Sequence, residues 1–144
     1  MSRSGYSDSC DGWALIRWRG AVKAALRGAR GQAFLRELAA AMDAMPEKVL
    51  TAGVMRDEDG CLCTLGVVAA ARGKDLDSLN KLVGPEDADA LARELGISAA
   101  MAKEVMWEND EHALFWNAGE SPEHRWQRMR AWVDRQLANP GADQ

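Results

Sequence analysis

Apolar residues recur at every third or fourth position through most of this chain, which predicts helices with one buried face each. From Trp13 to Arg27 the stripe is Leu15, Trp18, Val22, Ala25 and Leu26, with Asp11 placed to cap it. Gly28 and Gly31 in the phrase RGARG interrupt the pattern and predict a turn. A second helix is expected over 32–45, with Phe34, Leu38, Ala41 and Met45 inward and Pro46 ending it. So short a connection makes the two helices antiparallel.

The period changes once. Val49 to Val54 and Cys61 to Leu65 are apolar runs on either side of Asp59-Gly60, which predicts a small β-hairpin over about residues 49–65. Helical spacing then returns. Gly66 to Arg72 reads as a short helix, 74–84 as a loop with one turn at Leu76, Leu79 and Leu82, and Pro85 opens a helix that runs to Leu95. Gly96 and Ser98 mark a turn and a new cap, and Met101, Ala102, Val105 and Met106 carry the inner face onward. Ser121-Pro122 opens the last helix, with Trp126, Met129, Val133 and Leu137 inward. Arg125, Arg128 and Arg135 are expected to point elsewhere, with Trp132 between them for cation–π contact. The sum is a mainly α fold: about five helices in a compact bundle with one inserted hairpin. Residues 13–138 form one domain, and 1–12 and 139–144 are tails.

Composition changes little in that picture. The chain has 144 residues, enough to bury a core without staples. Three cysteines, Cys10, Cys61 and Cys63, argue against a disulfide framework and suit a reducing compartment. The start lacks the apolar stretch of a signal peptide and no run is long enough to cross a bilayer, so a cytoplasmic location is expected.

Charge is unevenly placed. Residues 1–36 hold seven Arg/Lys against two Asp, a net of +5, and residues 37–144 hold eleven against twenty acids, a net of −9. Two surfaces follow. Arg19, Lys23, Arg27 and Arg30 form a basic ridge that would meet phosphate or an acidic partner, or else pair with the acidic half of the same chain. Trp107, Glu108, Asp110 and Glu111, with Phe115 and Trp116 beyond them, form an acidic and aromatic surface suited to a protein partner.

The phrase LARELGIS followed by MAKEV has the form of a helix-turn-helix, which would make the chain a nucleic-acid-binding regulator. Its second helix carries Lys103 as its single cation and then runs into Glu104, Glu108, Asp110 and Glu111. Such a helix repels phosphate. An enzyme would rest on Glu108, Glu111 and His112, yet no HExxH, nucleophile or phosphate-cradling Gly loop accompanies them. DEDG lacks the alternating carboxylates of a calcium loop, and Cys61 and Cys63 alone make no metal site. No catalytic residue, metal or cofactor is assigned.

Several segments together resemble one family. They are Arg27 to Glu37, Ala44 to Lys48, Ala71 to Gly73, Glu108 to Glu111 and Arg125-Trp126. They are similar to small proteins encoded by phages and prophages of Proteobacteria, most without an assigned activity, and the likeness spans about residues 13–137. The resemblance transfers no catalytic residue. It implies a phage-borne accessory protein that binds a host or defence protein, or a nucleoprotein complex, as anti-CRISPR proteins do.

Overall fold

A computed structural model describes residues 12–82, 84–111 and 119–138. Helix α1 (Gly12–Arg27) runs into α2 (Ala29–Asp43) through Gly28 alone, so the second helix starts three residues earlier than expected. Gly28 is extended (φ −63°, ψ 159°) and separates the two helices by a single non-helical residue. Gly31 therefore lies inside α2, pressed against the end of α1. A Cβ there would lie 1.9 Å from the Ala25 carbonyl oxygen, so only glycine permits the approach. Gln32 fastens the same corner: its Nε2 donates to Leu26 O (2.7 Å) and to Gln136 O at the far end of the chain (3.3 Å).

Among the described residues there are seven α-helices and no β-strand. The rest are α3 (Thr64–Ala71), α4 (Leu76–Leu79), α5 (Ala88–Leu95), α6 (Ala99–Asp110) and α7 (Pro122–Ala138), with a 3-10 turn at Pro85–Asp87 before α5. The count exceeds the expected five because α3 and the one-turn α4 are separate helices. Helix α2 packs on α1, α3 and α7; α6 packs on α1, α3, α5 and α7. Helix α6 is the axis of the molecule, and every one of its residues is buried or half-buried. Its neighbours close one core in which Leu35, Leu38, Met42, Leu65, Leu91, Leu95, Met101, Met106 and Met129 are fully enclosed. No described helix is long and apolar enough to cross a membrane.

The expected hairpin over 49–65 is not formed. Only one antiparallel bridge, Arg56 with Leu62, survives of it. The reason lies in where the backbone groups find partners, since each buried one needs one. Asn80 stands in for a neighbouring strand: its Oδ1 accepts from Met55 N (3.0 Å) and Arg56 N (3.1 Å), and its Nδ2 donates to Arg56 O (2.9 Å). Asp57 Oδ1 takes the N–H groups of Asp59 and Cys61 and closes the acidic tip as a side-chain turn. The second expected arm becomes the start of α3, because Cys63 Sγ accepts from Gly66 N and caps that helix. Three backbone bonds still cross the loop, Thr51 N to Leu62 O (2.8 Å), Asp57 N to Cys61 O (2.9 Å) and Cys63 N to Met55 O (3.0 Å), and the side chains of Asn80 and Asp57 take the place of a longer ladder.

The α5–α6 corner is as the sequence implies. Gly96 closes α5 in the left-handed conformation (φ 69°), and Ser98 Oγ accepts from Met101 N (3.1 Å) to cap α6. Ser121 likewise caps α7, its Oγ accepting from His124 N (3.1 Å).

Candidate interaction surface

Two charged regions stood out along the chain, and they have opposite fates. The acidic segment at the end of α6 turns largely inward. Asp110 is buried, its Oδ1 accepting from Gly53 N (3.0 Å) and Asn109 Nδ2 (2.7 Å). Asn109 is 1% exposed and uses its whole amide. Its Oδ1 takes Thr64 N (3.1 Å) and Thr64 Oγ1 (2.7 Å), while Nδ2 also donates to Thr51 O (2.9 Å). Glu108 and Glu111 are half-buried, as is Trp107. Burial, with the Glu104 charge beside it, pushes the Glu108 carboxyl up to about 7 against the pull of Arg128 and Arg135. The exposed acidic surface expected here is corrected to a polar joint. Phe115 and Trp116, and His112 of the enzyme reading, lie outside the described residues.

Helix α7 completes the joint. A helix leaves its last carbonyls unpaired, and these carry negative partial charge. At the end of α6 two arginines supply what is missing. Arg125 Nε donates to Asn109 O (3.1 Å), and Arg128 donates to Glu108 O (2.6 Å) and Asn109 O (3.2 Å). Glu120 balances both: its Oε2 accepts from Arg128 Nε at 2.8 Å and its Oε1 lies 3.3 Å from Arg125 Nε. His124 Nδ1 sits 2.6 Å from Glu120 Oε2. The Glu120 side chain has no exposed surface. Burial raises its affinity for a proton, but the hydrogen bonds from Arg128 and His124 and the guanidinium charges outweigh that and hold it below the ordinary glutamate range. Arg125 and Arg128 therefore face inward, contrary to expectation. Trp132 is buried in the core. The cation–π contacts formed instead are Lys48 over Trp126, Arg72 over Phe34 and Lys103 over Trp18.

Asn109, Glu120, Arg125 and Arg128 were not singled out from sequence as a cluster. A signal was present for two of them. Asn109 follows Val105 by four residues and Arg125 precedes Met129 by four, so both stand at core spacing, where a polar residue must be hydrogen-bonded.

The basic ridge has the other fate. Arg19, Lys23 and Arg30 are exposed, Arg27 is half-buried, and Arg17 and Arg36 extend the exposed surface on either side. Between residues 12 and 36 there are six cations and no acid. Among the described residues, none of Arg17, Arg19, Lys23, Arg30 or Arg36 takes part in an ion pair. Five acids of the other half pair with cations of that half: Asp77 with Arg56, Glu94 with Lys74, Glu37 with Arg72, Asp43 and Asp134 with Arg130. Among the described residues, ion pairing within the chain does not account for Arg19, Lys23 and Arg30.

Beside the ridge is a cleft of roughly 210 Å3. The α1–α2 corner (Ala24, Gly28, Arg30) forms one wall and the α5–α6 corner (Ile97, Ser98, Met101) the other. Among the described residues no three metal-ligating side chains come together. What the arrangement offers is a cationic face with a small apolar cleft in it. No family model, no curated protein and no solved structure matches the chain.

Proposed function

We propose that this chain is a phage- or prophage-type accessory protein that works by binding another protein, with inhibition of a host defence system as its outcome. The contact face in this reading is the exposed surface of α1 and the start of α2, not the end of α6. One observation carries it: five exposed cations, Arg17, Arg19, Lys23, Arg30 and Arg36, stand on that face with no acid paired to them among the described residues. Unpaired cations of one sign cost solubility little and attract an anionic surface quickly. The segments resembling phage proteins support the setting.

A second reading is favoured by the same cations: contact with nucleic acid, alone or within a nucleoprotein complex. It would not run through α6 as a recognition helix. That helix has no exposed residue, and Lys103 lies over the Trp18 ring, 5.2 Å from its centroid. Phosphate contact would fall to α1 instead.

The test compares the full chain with its Arg19→Glu, Lys23→Glu, Arg30→Glu variant, each immobilised and exposed to lysate of a proteobacterial host. The expected result is a protein retained by the first and lost by the second. Retention of nothing, or equal retention by both, overturns the proposal. A duplex shift at low salt that the variant abolishes, with no protein retained, decides for the second reading.

A further inference from the structure

The inference here rests on α1–α2 being the contact face. We infer that the cleft between the α1–α2 and α5–α6 corners is a socket for one apolar side chain, carried by an acidic peptide segment of the partner. Its volume, roughly 210 Å3, is smaller than the several hundred Å3 of ordinary small-molecule sites but takes a single aliphatic side chain. Its surface is mostly hydrocarbon: Ala24 and Gly28 on one wall, Ile97 and Met101 on the other. The methionine lets that wall adapt to what enters. Ser98 Oγ accepts from Met101 N, and its O–H is the one side-chain donor on that wall.

The rim selects the rest of the ligand. Arg30 stands at the mouth and Lys23 is exposed next to Ala24. With no acid anywhere from residue 12 to 36, a carboxylate lying along the α1–α2 side of the anchor meets only cations, and a basic segment there is repelled. Cations alone would suit a phosphate backbone. An apolar socket among them is the mark of a peptide whose side chain is read.

The test is selection of displayed random peptides, about twelve residues long, on the full-length protein, followed by binding measurements on synthetic copies. Two variants fill the cleft from exposed positions, Ala24→Trp and Ala29→Phe, and a third reverses charge, Arg19→Glu with Lys23→Glu. Circular dichroism and urea unfolding establish that each is folded. The expected peptides carry acids flanking one Leu, Met, Ile or Phe. Either filling variant should weaken them about ten- to hundredfold, the worth of one buried apolar side chain. Acidic peptides without an apolar residue, or filling variants that bind unchanged, overturn the socket and leave the contact face standing. Selection of neutral or basic peptides, or of none, overturns both.

Discussion

Two sets of arginines, each near a helix end, are used in contrary ways. Arg125 and Arg128 on α7 are 9% and 16% exposed at their side chains, share the enclosed Glu120 carboxylate and close the open carbonyls of α6. Arg19 and Arg30, with Lys23, are exposed and meet no carboxylate among the described residues. The first set belongs to the fold. It is desolvated, and removing any member leaves a buried charge or a helix end without a partner. The second set is solvent-exposed and forms no ion pair among the described residues. The lesson is that a net charge along a sequence does not tell an interaction surface from an internal joint. Of the acidic stretch, Asp110 is buried in the joint, and Trp107, Glu108 and Glu111 are half-buried.

The comparison is broken most forcefully at Glu120. Glu120→Ala leaves Arg125 and Arg128 facing each other without their counterion, and the loss should be about 3–5 kcal/mol in urea unfolding. The wild-type pH profile tests the same group. Its folded carboxyl lies below the ordinary value, so its contribution is present above the unfolded value and is lost as pH falls through the folded one. Acid unfolding of the wild type should therefore be steeper than that of the variant.

Asn109→Ala comes next. It strips partners from Thr64 N and Thr51 O in one step, and about 2–3 kcal/mol should be lost, with the 49–65 loop exchanging its amide hydrogens faster. An unchanged loop would mean that the joint does not hold it.

Glu108 runs the opposite way and should be smaller. Its carboxyl is raised from 4.5 to about 7 by burial and by Glu104. Below pH 4.5 it is neutral in both the folded and unfolded chain, and its stabilisation is complete. That stabilisation erodes as pH rises and is gone above about 7. Glu108→Gln should flatten this dependence and be more stable than wild type at pH 8 by about 1–3 kcal/mol. A variant that loses stability at pH 8 would show that Glu108 is charged and paired.

Much of the helical frame is legible in the residues themselves. The caps at Ser98 and Ser121, the left-handed Gly96 and the buried positions Val22, Leu26, Phe34 and Leu38 of α1 and α2 follow from local chemistry, which is why they read correctly. The 49–65 region does not, because its backbone is satisfied by Asn80, Asn109, Asp110 and Arg125, residues 24 or more positions away. Asp-Gly between apolar runs is a true turn signal: the backbone of 55–57 pairs with that of 61–63 around it, but Met55 N, Arg56 N and Arg56 O go to Asn80 and no ladder extends from the bridge. Arg125 and Arg128 fail for a related reason: a charge is read as exposed until the helix end it caps is known. The cations of the ridge were legible as residues. That Arg19, Lys23 and Arg30 form no ion pair among the described residues depends on where the folded chain places the acids of the other half.

The central claim is that the α1–α2 cations are not part of the fold. Urea unfolding of the Arg19→Gln, Lys23→Gln, Arg30→Gln variant tests it most directly, with the same slope and buffer as wild type. The account predicts a stability within about 0.5 kcal/mol of wild type, as for exposed and unpaired side chains. A loss of about 2 kcal/mol or more would contradict it, because the ridge would then be holding the protein together rather than facing a partner.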